Sequence, residues 1–326
     1  MSYIVLPMDV VLTNLISPGV LFFVLGAFAA LVKSDVGLPK QVAQTLALYL
    51  MAAIGFKGGA QLSISGVSVE ALAALGSGLL LGFTLPLIAF FLLSRFTRVS
   101  RVDAASIAAH YGSVSLVTFG AGLALLEEIG QPTEGYMAAV LALMEAPAIA
   151  IGVLLARTGG ADAKGPRKGV REALTSGSIL VLLGATVIGI VLGAQGLKEL
   201  DGFFVAPFTG VLALFLLDMG LVAFRRIRSL RKAGPSLIAF AIYMPLIGGT
   251  LGALLGTIVG LPVGDTTLLA TLAASASYIA APAAMRLALP EADPGLSLPI
   301  VLGVTFPFNL IVGIPLYLEL SRLLGG

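Results

Sequence analysis

The sequence predicts an all-α protein that crosses a membrane ten times, in two inverted five-helix repeats. Hydrophobic residues make up 58% of the 326 residues and charged residues only 11%, against about 45–50% and 25% in soluble globular chains. The mean hydropathy is +1.05. The apolar runs are continuous and each about 20 residues long, the length of a membrane-spanning helix. A membrane barrel would instead show strands of alternating hydrophobicity.

Successive apolar runs separated by short gaps define the predicted spans. They cover residues 12–32, 41–57, 69–93, 103–127, 134–156, 175–193, 203–223, 234–260, 265–289 and 297–323. The N-terminus lacks the basic region and the small-residue cleavage site of a secretory signal. The first span is therefore expected to stay in the mature protein.

Positive charge predicts the orientation of these spans. Most of the 19 Lys and Arg residues lie in alternate gaps, beginning with the first. Because such residues favour cytoplasmic loops, both termini are expected outside the cytoplasm, in a cytoplasmic (inner) membrane. The largest basic segments are the gap from Arg157 to Arg171 and the group Arg225, Arg226, Arg228, Arg231 and Lys232. They are expected to set topology and contact lipid, with docking of a soluble regulator as the alternative, and the net charge of +2 predicts no nucleic-acid partner.

Short segments recur in the same order at a spacing of about 160 residues. The matched segments are Asp103–Ser115 with Asp265–Ser277, Pro18–Gly26 with Ser176–Gly184, Ile54-Gly55 with Met219-Gly220, and Pro147 with Pro307. Since each unit holds five spans, an odd number, the second unit must insert upside down. The sequence predicts a first repeat over residues 1–157, a cytoplasmic linker over 158–174 and a second repeat over 175–326. Inverted repeats are typical of transporters whose site lies at the midplane, where discontinuous helices meet.

Spans four and nine each carry a Ser-x-Ser motif inside the apolar pattern. Ser113 and Ser275 lie about ten residues, or 15 Å of helix, beyond an aspartate that begins each span. Both motifs are therefore expected near the bilayer centre. If both helices break there, two half-helix N-termini direct partial positive charge into one cavity, which suits a small oxyanion. The predicted substrate-binding residues are Gly112, Ser113, Ser115, Thr118, Ser275 and Ser277. The alternative is that these small residues serve close helix packing.

One carboxylate lies in the middle of an apolar span. Glu145 precedes Pro147, which has no backbone N–H and leaves the carbonyl four residues earlier without its helical partner. A carboxylate beside free carbonyls suits Na⁺, whereas a protonatable group in the membrane suits H⁺. We predict a cation site at Glu145, shared with Ser115 and Ser277, in which Glu145 is the sodium ligand. The alternative is a protonated structural residue, and no cofactor other than Na⁺ is expected.

Four further polar residues have simpler interpretations. Asp218 is expected at a solvated helix end, paired with Arg225 or Arg226, and His110 as a neutral packing residue. Lys57 and Arg286 are expected to extend to the membrane surface. The chain contains no metalloprotease, P-loop or nucleophile-elbow motif, so an enzyme is not predicted.

Seven motifs, in one order over nearly the whole chain, resemble those of a known family. They are Ile54-Gly-Phe-Lys-Gly-Gly59, Ser113-Val-Ser115, Leu125-Leu-Glu-Glu128, Met144-Glu-Ala-Pro147, Met219-Gly220, Ala273-Ala-Ser-Ala-Ser277 with Pro282 and Arg286, and Gly313-Ile-Pro-Leu316. The pattern is similar to that of the sodium-dependent bicarbonate transporters of cyanobacteria and their wider bacterial relatives.

The resemblance implies sodium-coupled uptake of bicarbonate or a similar small oxyanion by alternating access. It also implies a gate-like bundle of spans 1, 2, 6 and 7, a core-like bundle of spans 3, 4, 5, 8, 9 and 10, a homotrimer, and control by a PII-like cytoplasmic protein. Two alternatives stay open. One is a cation–proton exchanger that uses Glu145, and the other is a membrane-embedded sensor or scaffold.

Overall fold

The computed structural model describes residues 8–66, 68–157, 177–227 and 229–325, in which helices occur without any β-strand. The helices are α1 (Met8–Ile16), α2 (Pro18–Leu31), α3 (Lys40–Ser65), α4 (Val69–Phe96), α5 (Arg101–Gly112), α6 (Leu116–Glu128), α7 (Met137–Arg157), α8 (Gly177–Leu200), α9 (Phe208–Ile227), α10 (Leu230–Ile258), α11 (Val263–Ala274), α12 (Ala280–Ala288) and α13 (Pro294–Gly325). Helix α13 includes two π turns, at Val301–Thr305 and Asn309–Gly313. The all-helical prediction is confirmed.

Several helices are long and apolar enough to cross a membrane. Within the described ranges there are seven such stretches: α3, α4, α5 with α6, α7, α8 with α9, α10 and α13. The stretch Leu180–Ile227 has 48 residues, or about 70 Å as one helix, more than twice a ~30 Å apolar core. It is divided at a π turn, Asp201–Val205, after a kink at Gly193 with φ of 54°. The chain is therefore a multi-pass membrane protein, and its division into ten spans stays a prediction.

The helices pack as two pairs and two trios. Helix α3 lies along α8, and α2 lies along α9, so each pair joins the two halves of the chain. Helices α4, α5 and α7 pack against one another, and α10, α11 and α13 form a second trio. The remaining short helices cross between the trios, because α6 packs on α11 while α12 packs on α5 and α7.

Two aspartates bind the loops of opposite halves of the chain. The Asp103 carboxylate accepts the backbone N–H of Asp293 at 2.8 Å, and the Asp265 carboxylate accepts that of Glu134, also at 2.8 Å. Asp265 additionally accepts the hydroxyl of Tyr136. Asp103 and Asp265 are matched positions of the sequence repeat, so one contact occurs twice, near the starts of α5 and α11.

Removing the Tyr136 hydroxyl is expected to destabilise the fold measurably. Asp265 is fully buried, so water does not replace the lost donor in Tyr136→Phe. We expect the free energy of unfolding to fall by about 1.5–3 kcal/mol, the range for a hydrogen bond to a charged group. Size-exclusion chromatography of heated, detergent-solubilised protein measures the loss. Asp265→Asn and the double variant complete a cycle, and strictly additive losses would contradict a direct bond.

Part of the predicted cytoplasmic surface lies outside the described residues. The linker over residues 158–174 lies there, and with it nearly all of the basic segment Arg157–Arg171. Arg228 also lies outside the described residues. Arg225 and Arg226 lie in the last turn of α9, and Lys232 lies in the first turn of α10. Their role as a docking surface stays a prediction.

Candidate functional site

The first Ser-x-Ser motif divides one crossing into two helices. Ser113 ends α5 in an extended conformation, with φ of −84° and ψ of 170°. Ser115 precedes α6, and its hydroxyl accepts the backbone N–H of Thr118 at 3.2 Å, the usual contact of a helix N-cap. Gly112 allows the break to lie against α4, because a Cβ there would be 2.5 Å from the ring of Pro86.

The second motif repeats this arrangement. Ser275 ends α11 in an extended conformation, with φ of −80° and ψ of 168°. The hydroxyl of Ser277 accepts the backbone N–H of Ala281, in the first turn of α12, at 3.2 Å, although the N-cap position of this helix is Ile279. Pro282 also lies in that turn, where its missing N–H removes no helical hydrogen bond. In both crossings the first serine ends one helix, and the hydroxyl of the second accepts a backbone N–H in the first turn of the next.

Direct hydrogen bonds join the two breaks. The backbone N–H of Ser115 donates to the hydroxyl of Ser275 at 2.9 Å. The backbone N–H of Ser277 donates to the carbonyl of His110 at 2.9 Å, and Nδ1 of His110 donates to the carbonyl of Ser277 at 2.7 Å. The two motifs therefore meet, as the sequence repeat predicts.

A cavity of about 30 Å³ lies beside the meeting point. Its polar lining includes Ser115, Ser277 and Glu145 of α7, and Met51 and Leu182 contribute apolar side chains. A water-sized group needs about 10–15 Å³ of such space, so the cavity holds two or three of them. Because Met51 belongs to α3 and Leu182 to α8, the cavity lies between this pair and the broken helices.

Positive and negative groups both face the cavity. Leu116 and Ala280, the first residues of α6 and α12, line it, so two helix N-termini direct partial positive charge there. Glu145 is buried and has no hydrogen bond or ion pair with any described residue. No three acidic or histidine side chains of the described residues gather into a metal site. A cation beside Glu145 would therefore depend on hydroxyl and carbonyl oxygens as its other ligands.

Comparison with protein families matches residues 18–322 to the Na⁺-dependent bicarbonate transporter superfamily. The chain belongs to this family. No curated protein gives a significant match. The matched residues include both serine motifs and every residue that lines the cavity. The chain is accordingly a sodium-dependent bicarbonate transporter and not an enzyme.

Only part of the predicted anion site lines the cavity of this transporter. Ser115 and Ser277 line it, whereas Gly112, Ser113, Thr118 and Ser275 are buried nearby without lining it. The hydroxyl of Ser275 donates to the carbonyl of Leu272 at 2.8 Å, in addition to its bond with Ser115. The Thr118 hydroxyl donates to that of Ser115 at 3.0 Å. The Ser113 hydroxyl is buried without a hydrogen-bond partner in the described structure.

Tyr278 lines the transporter's cavity although it was not among the predicted site residues. Its ring packs edge to face on Phe306, with the ring centroids 5.7 Å apart. Its hydroxyl is buried and makes no hydrogen bond of good geometry among the described residues, but it interacts with the side chain of Ser115. The available signal was its position directly after Ser277, since residues between two half-helices face the space that the break opens.

Two charged residues of the transporter have surroundings that differ from prediction. Lys57 forms an ion pair with Glu127 at the end of α6, a partner that the sequence did not predict, and its extension to the membrane surface stays a prediction. Asp218 is buried within α9 rather than solvated, and it forms no direct ion pair with Arg225 or Arg226 in the described structure, although the positive charge of Arg225 acts on it. Both differences arise from contacts with distant segments, which the local sequence does not specify.

Proposed function

We propose that this transporter carries bicarbonate inward with Na⁺ by alternating access. The observation that supports this mechanism is the single cavity at which two helix N-termini, two serine hydroxyls and one unpaired carboxylate meet. The N-terminal N–H groups and the hydroxyls of Ser115 and Ser277 would hold the anion. Glu145, with hydroxyl and carbonyl oxygens, would hold Na⁺.

Mutual neutralisation accounts for the coupling of the two ions. Transfer of an isolated charge into a medium of low polarity is strongly unfavourable. A cation beside Glu145 offsets the carboxylate, and the partial positive charges of the two helix N-termini, about +0.5 each, offset the anion. The loaded cavity is then nearly neutral, whereas either ion alone leaves an uncompensated charge in a moving segment.

The packing of the helices supports two bundles that move against each other. We propose ten spans in two inverted repeats, over residues 1–157 and 175–326, joined by the linker over residues 158–174. The gate-like bundle would contain the α2–α9 and α3–α8 pairs, and the core-like bundle the two trios with α6 and α12. Two features support this division: the trios correspond helix by helix, and the Asp103 and Asp265 contacts are reciprocal. Because the cavity includes residues of α3 and α8, movement of one bundle would open it to either side.

The oligomeric state, the membrane, the orientation in it and the regulatory partner are also proposals. We propose a homotrimer in the cytoplasmic (inner) membrane, with both termini outside and with a PII-like regulator on the cytoplasmic face. Leu180, Val187 and Val191 of α8 are exposed and form an apolar surface for lipid or a neighbouring copy. Light scattering of the detergent complex should give the mass of three chains of 33.3 kDa each.

The transport proposal is tested by uptake of ¹⁴C-bicarbonate into proteoliposomes. Accumulation above equilibrium is expected only with an inward Na⁺ gradient. For Ser115→Ala with Ser277→Ala we expect the KM for bicarbonate to rise about tenfold or more, because each lost hydrogen bond to an ion contributes about 1.5–3 kcal/mol.

Ser321→Ala is the matched control for these serine variants. Ser321 is also buried, and its hydroxyl bonds within α13 to the carbonyl of Tyr317 at 2.7 Å. It should keep the original KM. An unchanged KM in the double variant, with folded protein present, would show that the anion binds elsewhere.

A cation–proton exchanger is the second candidate. It is favoured by one observation, that Glu145 is the cavity's only carboxylate and has no partner among the described residues. An exchanger would move Na⁺ against a pH gradient in bicarbonate-free proteoliposomes. The symport proposal expects no such movement.

A further inference from the structure

A second polar cavity, of about 110 Å³, lies where α5, α12 and the first turn of α13 meet. Four hydrogen-bonding side chains line it: Ser106 and His110 from α5, Arg286 from α12 and Ser297 from α13. Because α5 and α12 lead from the crossing to the basic end of the bundle, the expected topology places this cavity on the cytoplasmic side. None of the functions proposed above uses it.

Three of the four polar side chains of this cavity have no partner in the described structure. Ser106 is 6% exposed and Ser297 is 2% exposed, yet neither hydroxyl forms a hydrogen bond there. Arg286 forms no ion pair with a described carboxylate. Two nearby carboxylates already accept backbone N–H groups, Asp103 that of Asp293 and Asp293 that of Gly295. Unpaired buried donors beside a free cation indicate a site for an anion.

His110 adds a hydrogen-bond acceptor to these donors. Its Nδ1 lies 2.7 Å from the carbonyl oxygen of Ser277, and a carbonyl only accepts, so Nδ1 carries the ring proton. In the neutral ring Nε2 is then an acceptor. The cavity thus offers a cation and two hydroxyl donors together with one acceptor, which matches an anion that itself carries an O–H group.

The sequence repeat shows that the fold does not require these groups. Within the matched segments Ser106 corresponds to Leu268 and His110 to Leu272. Continued beyond them, at spacings of 162 and 160 residues, the repeat pairs Arg286 with Ala124 and Ser297 with Met137. All four counterparts are apolar. If the polar side chains served only to pack the broken helices, apolar residues would suffice in both halves. The asymmetry indicates a function that belongs to one side of the membrane.

We propose that this cavity is a second binding site for bicarbonate, between the crossing and the cytoplasm. Arg286 would hold the carboxylate group, Ser106 and Ser297 would donate to its oxygens, and Nε2 of His110 would accept the bicarbonate O–H. The identity of the ion rests on the proposed function. Nitrate is planar, singly charged and similar in size but carries no O–H group, so this site should discriminate against it.

Cysteine protection tests the proposal, because the chain contains no cysteine of its own. The variant Ser297→Cys places one thiol in the cavity of the purified full-length protein. A charged methanethiosulfonate reagent should modify it, and bicarbonate should slow the reaction about threefold or more relative to chloride at equal pH and ionic strength. Nitrate should give the chloride rate. Equal rates in bicarbonate and nitrate would overturn the proposal.

Two further variants in the Ser297→Cys background separate this site from the one at the crossing. Arg286→Gln should abolish protection, and protection that persists would overturn the proposal. Ser115→Ala with Ser277→Ala should raise the KM for uptake, as proposed above, but keep protection. If protection is lost as well, the effect comes from the crossing and the second site is refuted. If uptake is unchanged while protection persists, the second site stands and the proposed location of the transport site fails.

Discussion

Sodium-dependent bicarbonate uptake is expected to fall about 100-fold or more when Glu145 is replaced by Gln. Among the described residues, Glu145 is the only carboxylate that lines the cavity at the crossing. The amide has nearly the same shape but no charge, so a bound Na⁺ would lose its counter-charge within a poorly polar environment. Uptake of ¹⁴C-bicarbonate into proteoliposomes, measured over a range of Na⁺ concentrations, gives the size of the loss.

The same substitution should leave the fold intact and remove the stabilisation by Na⁺. In the absence of Na⁺, burial of an unpaired carboxylate is unfavourable, so the Gln variant should unfold at an equal or higher temperature. For the unmodified protein, Na⁺ at 100 times its dissociation constant should add about 2.7 kcal/mol to the free energy of unfolding. The variant should show no such increase, which distinguishes loss of the ion from general damage.

Glu70→Gln is the matched control. Glu70 is an exposed residue in the first turn of α4 and does not line the cavity. This variant should keep both uptake and the response of its melting temperature to Na⁺. If Glu145→Gln also kept its Na⁺ dependence, the cation would bind elsewhere. The carboxylate would then be the structural residue that the sequence left as an alternative.

The sequence predicted the crossing because the signals that break a helix are local. Small and polar residues at Ser113-Val-Ser115 and Ser275-Ala-Ser277 interrupt otherwise apolar spans, and their matched depth follows from the repeat. In the structure both segments are extended at the first serine, and the hydroxyl of the second accepts a backbone N–H of the next helix. The rise per residue of a helix and the preference of serine for helix ends were therefore sufficient to predict that these motifs meet.

The direction of each hydroxyl could not be predicted in the same way. Ser275 is turned away from the cavity's lining by its bonds to Ser115 and Leu272, which exist only once both helices are broken and packed. The Lys57–Glu127 ion pair likewise depends on the convergence of α3 and α6. Sequence patterns specify where a helix begins and ends, whereas partner choice across the fold depends on tertiary contacts.

The close approach of α3 to α8 gives the largest expected effect on stability. A Cβ at Gly59 would lie 2.0 Å from the carbonyl oxygen of Thr186, and one at Gly55 would lie 2.3 Å from that of Leu182. From the opposite side, a Cβ at Gly189 would lie 2.2 Å from the carbonyl oxygen of Phe56. Glycines four residues apart let helix backbones come this close in membranes. Backbone atoms cannot rotate away as a side chain does, so the two helices would have to separate.

Gly59→Val is therefore expected to lower the free energy of unfolding by about 3 kcal/mol or more, at or beyond the upper end for overpacked cores. Gly184→Val is the matched control, because Gly184 lies on α8 with no atom within 4 Å of an added Cβ. It should melt close to the unmodified protein in size-exclusion chromatography after heating. Equal melting temperatures for the two variants would mean that α3 and α8 separate without cost. Since Met51 and Leu182 of this pair line the cavity, any Gly59→Val protein that folds should also lose bicarbonate affinity, whereas Gly184→Val should keep it.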